Sequence, residues 1–157
     1  MKGGPATGPR PVDRGKTGSK HHLIVEAHGI PLAVTLTGGN RNDVTQLIPL
    51  IQAVPPIRGK QGRPLQRPRH LYADRGYDHE MYRDRVCRFQ ISLHIARRGT
   101  EHGCGLGVHR WVVEGTIALL RWFRCLRVRW EIRDDICQAF VILGCALICR
   151  RRLKASS

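Results

Sequence analysis

The stretch HLYADRGYD, His70–Asp78, places the strongest constraint on how this chain can fold. Its residues Leu71–Ala73 are apolar or aromatic, which predicts a short buried strand, and Arg-Gly after Asp74 indicates a turn. Because neighbouring strands fix the backbone of a strand, a carboxylate at its end is held in place, as a metal ligand or general base must be. An Asp that caps the next helix explains the same pattern equally well, so both interpretations stay open.

Alternating strand and helix patterns predict an α/β fold. Two β-rich segments flank a short glycine-bearing turn, which is typical of a hairpin. The predicted strands are 22–26, 31–37, 70–73 and 92–96, and the predicted helices are 44–54, 78–89, 108–126 and 134–153. Residues 1–20 are rich in Gly, Pro and basic residues, which predicts a flexible segment ahead of a domain at 21–157.

The charge of the chain points to a polyanionic partner. There are 27 Lys and Arg against 12 Asp and Glu among 157 residues, a formal net charge of +15. Each phosphate that a basic residue neutralises releases condensed counterions, so nucleic acid is the expected partner. The apolar run 136–149 is shorter than the roughly twenty residues that span a bilayer, which favours a buried helix and no membrane association. Six cysteines without a CxxC pair indicate a reducing cytoplasm.

Glu114 is the second carboxylate that is a candidate site residue. It is the only ionisable residue in the run 111–120, and helical spacing puts Arg110 and Arg121 on its face. An Arg110–Glu114 pair within the helix is the ordinary explanation. The alternative is a carboxylate that holds Mg²⁺ or Mn²⁺ while the arginines contact phosphates, an arrangement suited to phosphodiester chemistry.

Other polar residues have structural explanations. Asp43 and Gln46 resemble a capping box that opens a helix. His21 and His22 begin a strand, where we expect them to face solvent or a phosphate. The spacing of His102, Cys104 and His109 fits no zinc pattern, and Gly15-Lys16-Thr17 lacks the glycine and the following helix of a P-loop.

Five segments resemble the bacterial insertion-sequence DDE transposases, particularly the group named after insertion sequence five. They are PVDRGKTGSKHHLI at 11–24, PLAVTLTGGNRND at 31–43, YADRGYD at 72–78, IARRGTEHG at 95–103 and RWVVE at 110–114. The resemblance implies an RNase-H-like fold and an Asp-Asp-Glu triad that binds two Mg²⁺ (or Mn²⁺) ions. It also implies DNA as partner, both transposon ends and target, through strand cleavage and strand transfer.

Carried over by position, Asp74 is the second member of the triad and Glu114 the third. Arg75, Arg110 and Arg121 are then the expected DNA contacts. The resemblance further implies a cytoplasmic, nucleoid-associated protein that can form a homo-oligomer.

Two departures from the family pattern change the expectation. The family's first catalytic Asp precedes the tract that begins here at Lys2, so we expect an RNase-H-like fold lacking its first strand. Such a polypeptide is expected to be inactive alone; the alternative is a non-catalytic DNA-binding transposase remnant. In addition, Gly115 stands where an Arg is expected, which removes a phosphate contact and costs the helix about 1 kcal/mol.

Overall fold

A computed structural model describes residues 4, 6–10, 14–59, 61–97, 99, 107–129 and 131–155. The strands are β1 (Gly8–Pro9), β2 (Thr17–Val25), β3 (Pro31–Gly38), β4 (His70–Tyr72) and β5 (Ser92–His94). The helices are α1 (Leu47–Ala53), α2 (Glu80–Arg88), α3 (Gly107–Arg121), α4 (Arg124–Arg127) and α5 (Asp134–Ala155). Two short 3₁₀ turns, Asp43–Gln46 and Arg75–Tyr77, precede α1 and α2. A mixed α/β architecture is confirmed.

The described strands form two separate sheets. In the first, β2 pairs antiparallel with β1 on one side and with β3 on the other. In the second, β4 and β5 run parallel, with Leu71 opposite Leu93, and α2 makes the crossover between them. A parallel pair requires such a crossover, whereas β2 and β3 need only the tight turn that joins them.

Helices cover the two faces of the β2–β3 hairpin. Successive side chains of a strand point to opposite faces, and Ile24 and Leu23 accordingly join different clusters. Ile24 packs in a core with α1, α2 and Leu71 of β4, whereas Leu23 packs against α3 and α5. No helix within the described ranges combines the length and the apolar character needed to cross a bilayer.

Three of the differences from the predicted elements have a clear physical cause. β2 begins at Thr17, inside the segment predicted to be flexible, because Thr17 and Gly18 pair with β1. Asn42 rather than Asp43 caps the turn before α1, since its side chain accepts the Val44 N–H, and Asp43 pairs with Lys20 at 2.8 Å. The predicted helix 108–126 is divided, because α3 ends at Arg121 and α4 follows.

The expectation that His21 and His22 face solvent is wrong for His22. It is only 4 % exposed, and its Nε2 lies 2.7 Å from the Thr37 hydroxyl on the neighbouring strand. His22 shares its strand face with the buried Ile24, so the same alternation that buries Ile24 buries the imidazole. Burial lowers the pKa of His22, and the pKa of half-buried His21 is lowered by burial and then by the charge of Arg10.

Acid should therefore destabilise the fold in the range where histidine titrates. A neutral imidazole in the folded state takes up a proton on unfolding below the unfolded pKa of about 6.5, so the free energy of unfolding falls as the pH drops through that value. Urea unfolding at about pH 7.5 and about pH 5.5 measures this loss. His22→Gln should reduce this loss of unfolding free energy, and the part that is due to His21 should remain. An equal loss in both proteins would contradict the role of His22.

Candidate active site

Asp74 lies two residues beyond the end of β4, where the chain leaves the parallel sheet. Its side chain is exposed, and its Oδ1 accepts a hydrogen bond of 2.7 Å from the Arg75 N–H. It thereby caps the 3₁₀ turn Arg75–Tyr77. Capping the following turn is one of the two interpretations that the sequence leaves open for Asp74. A carboxylate has about four lone-pair sites, so a single capping bond leaves it able to accept further ligands.

Tyr77 is a neighbour of this carboxylate that sequence reasoning missed. Burial above all, and then the negative charges of Asp43 and Asp74, raise the pKa of Tyr77 to about 12. The two aspartates come from the two 3₁₀ turns, which lie in contact. The Tyr77 hydroxyl therefore feels the charge of both acids and resists ionisation.

A stack of rings joins β4, β5 and the start of α3. The Tyr72 ring stacks on His94 of β5 at 4.6 Å between centroids and on His109 of α3 at 4.0 Å. His70 extends the group, because its Nδ1 lies 3.2 Å from His94 Nε2. In the sequence, His109 stands out only as part of a spacing that fits no zinc site. Its observed contact instead holds the first turn of α3 against the strand that leads to Asp74.

A second contact holds the middle of α3 against the hairpin. The Thr116 hydroxyl donates a hydrogen bond of 2.9 Å to the Gly29 carbonyl in the β2–β3 turn. Thr116 is only 2 % exposed. Gly29 has φ +80°, and a Cβ there would lie 3.1 Å from the Thr116 oxygen, so the close approach requires glycine. Val112 and Leu120 on the same side of α3 are buried as well.

Glu114 consequently points away from the hairpin. It is exposed and follows His109 by five residues, roughly 7.5 Å along the helix axis. Asp74 follows Tyr72 by two residues, whereas Glu114 lies about 140° around the helix axis from His109, so the stack joins the two elements and not the two carboxylates. The structure thus brings the strand of Asp74 and the helix of Glu114 together at that point.

The predicted DNA-contacting arginines occupy three different settings. Arg75 is half-buried in the turn after Asp74, and Arg121 is exposed at the end of α3. The charge of Arg121 contributes to the lowered pKa of His21, after burial and the charges of Arg10 and His22. The side chain of Arg110 lies outside the described residues.

The described side chains do not by themselves fit a resident divalent metal ion. Carboxylate oxygens are the donors that Mg²⁺ and Mn²⁺ prefer, which suits Asp74 and Glu114. However, within the ranges that the structure describes, no three His, Cys, Asp or Glu side chains lie close enough to hold a metal ion together.

Comparison with known proteins identifies the family. The profile of the Transposase DDE domain matches residues 4–149. A protein of Burkholderia cepacia, named "Putative transposase for insertion sequence element IS402", is 59 % identical over 152 residues, which cover 97 % of this chain and 72 % of that protein. No solved structure matches the chain. On both the profile and the relative, the chain belongs to the family of DDE-domain transposases.

Proposed function

We propose that this chain contributes two carboxylates, Asp74 and Glu114, to the catalytic site of a transposase of the insertion sequence five group. Such a site cleaves DNA strands at the ends of the element and transfers them to a target. The observation that carries the proposal is the Tyr72–His109 stack at 4.0 Å, because it joins the strand before Asp74 to the helix of Glu114. Membership in the transposase family supports DNA as the substrate.

An RNase-H-like sheet would place one further strand between β2 and β4. Two observations support this arrangement. Among the described strands, the side of β2 opposite β3 pairs only at Thr17 and Gly18, and β4 pairs only with β5. Ile24 of β2 and Leu71 of β4 nevertheless share one hydrophobic core. We infer that the inserted strand carries the first catalytic Asp of the family.

We infer that the 157-residue polypeptide does not cleave DNA by itself. Mg²⁺ or Mn²⁺ bound by Asp74 and Glu114 would supply charge stabilisation for phosphoryl transfer, but such catalysis depends chiefly on positioning. A pair of acids without a third ligand provides little of this positioning. The lack of a three-ligand group among the described side chains also favours the second candidate function, a non-catalytic remnant that binds DNA.

Exposed basic residues near the site support DNA binding in both candidate functions. The loop between α1 and β4 leads directly towards Asp74, and its described arginines are all exposed: Arg58, Arg63, Arg67 and Arg69. Arg75, Arg110 and Arg121 stay predicted DNA contacts.

A cytoplasmic location at the nucleoid and a homo-oligomer also stay predictions. An oligomer interface would cover apolar side chains such as the exposed Phe140, Ile142 and Leu143 of α5.

A strand-cleavage assay separates the two candidate functions. With Mg²⁺ or Mn²⁺, the 157-residue polypeptide should leave DNA carrying element ends uncut. A chimaera that adds the part of the Burkholderia cepacia relative that this chain does not cover should cut it, because we infer that this part carries the further strand and acid. Asp74→Asn and Glu114→Gln should each abolish cutting by the chimaera, whereas Asp84→Asn, at an exposed position of α2, should not.

Two results would count against these proposals. Cleavage by the unmodified polypeptide that disappears in Asp74→Asn would refute its inactivity. Cleavage by the chimaera that survives both substitutions would remove Asp74 and Glu114 from the site. A chimaera that folds, binds DNA and cuts nothing would favour the DNA-binding remnant.

DNA binding should weaken steeply as salt rises. Between about 50 mM and about 200 mM salt, the logarithm of the association constant should fall linearly with the logarithm of salt concentration. Arg63→Ala and Arg67→Ala should each lower the slope by roughly 0.9, because each removes one phosphate contact. Arg133→Ala is the matched control, since Arg133 is paired with Asp135. Binding that does not change with salt would contradict a phosphate-driven interaction.

A further inference from the structure

Two histidine side chains meet beside the parallel sheet. His70 of β4 and His94 of β5 approach each other with 3.2 Å between Nδ1 of the first and Nε2 of the second. His70 is exposed and His94 is half-buried, so solvent reaches the pair. The proposed function uses neither of them. The pair therefore needs an explanation of its own.

The sheet and a neighbouring ring hold the two imidazoles in place. In the parallel register, His70 lies opposite Ser92 and Tyr72 lies opposite His94, so His94 stands diagonally across from His70. The Tyr72 ring stacks on His94 at 4.6 Å with 14° between the ring planes, which restricts how that imidazole can turn. A hydrogen bond between two solvent-accessible imidazoles contributes little, because water offers each nitrogen an equivalent partner. The two nitrogens are thus brought together before any ligand binds.

The separation of the two nitrogens matches that of two ligands on one transition-metal ion. A bond from Zn²⁺ to an imidazole nitrogen is about 2.0–2.1 Å long, and tetrahedral angles then place two ligand nitrogens roughly 3.3–3.4 Å apart. The observed 3.2 Å is close to this value. A small rotation of the exposed His70 ring lets both lone pairs converge on the ion. Imidazole nitrogen suits Zn²⁺, Ni²⁺ and Cu²⁺, whereas Mg²⁺ prefers oxygen.

We propose that His70 and His94 form an open, exchangeable binding site for Zn²⁺ or a transition-metal ion like it. The ion binds His70 Nδ1 and His94 Nε2, and each neutral ring then carries its proton on its other nitrogen. Among the described side chains, no third His, Cys, Asp or Glu joins the pair, so water fills the remaining positions. Two protein ligands hold a metal ion less firmly than the three or four of resident zinc sites, and the ion therefore exchanges with solvent.

A bound ion would join the two strands of the parallel sheet directly. Among the described strands, β4 pairs only with β5, and the Ala73 N–H extends this pairing by donating to the His94 carbonyl at 3.2 Å. The ion would therefore stabilise the strand that leads to Asp74 without being bound by Asp74. This inference is independent of the proposed function, since it needs neither DNA nor catalysis.

Titration of the metal-free 157-residue polypeptide with Zn²⁺ tests the site. Isothermal titration calorimetry gives the affinity, and the imidazole ¹⁵N resonances of His70 and His94 should shift as Zn²⁺ is added. His70→Ala and His94→Ala should each weaken binding by roughly tenfold or more, because even residues that only support metal ligands contribute that much.

Two further variants separate ligation from folding. His94→Phe should weaken Zn²⁺ binding as much as His94→Ala does, although it keeps a ring against Tyr72. His79→Ala, which removes an exposed histidine outside the pair, is the matched control and should bind Zn²⁺ as the unmodified protein does.

Several outcomes would overturn the site. Zn²⁺ affinity that is unchanged in His70→Ala and His94→Phe would place the ion on other side chains, such as the exposed thiols of Cys87 and Cys125. Displacement of Zn²⁺ by excess Mg²⁺, or weaker Zn²⁺ binding in Asp74→Asn, would assign the ion to the acids. The absence of any Zn²⁺ binding would remove the site. None of these measurements involves DNA, so the proposed function succeeds or fails separately in the cleavage and DNA-binding assays.

Discussion

The stacking of Tyr72 on His109 is the contact on which the candidate site depends. It joins the short parallel sheet to the first turn of α3, with centroids 4.0 Å apart, and so links the strand before Asp74 to the helix that carries Glu114. The Thr116–Gly29 hydrogen bond holds the same helix against the hairpin. A helix fixed at two points along its length cannot rotate, so its buried side determines which side chains face outward.

This constraint links the fold to the proposed chemistry. Because Val112, Thr116 and Leu120 face the hairpin, Glu114 faces away from it. The carboxylate therefore lies on the exposed side of α3, in a chain whose net charge of +15 favours nucleic acid. Within the described residues no three-ligand metal group forms, and the further strand that we propose would add an acid to the site.

Local patterns in the sequence predicted much of this arrangement, and long-range contacts account for the rest. The order of strands and helices and the strand before Asp74 followed from periodicity, which reports the buried face of each element. Elimination among the few acids selected Asp74 and Glu114. Periodicity does not report which elements meet, so the roles of His109 and Thr116 were missed. Asn42 replaced Asp43 as the cap because Lys20, from a strand distant in sequence, pairs with Asp43.

A double-mutant cycle on Tyr72 and His109 tests the central claim that β4 and α3 are held together at this stack. The free energy of unfolding is measured for the unmodified protein, Tyr72→Ala, His109→Ala and the double variant. A direct stack predicts a coupling energy of about 0.5–1.5 kcal/mol, whereas Tyr72 and the distant, exposed His28 should show none. A coupling near zero between Tyr72 and His109 would contradict the contact and, with it, the joining of Asp74 and Glu114 in one site.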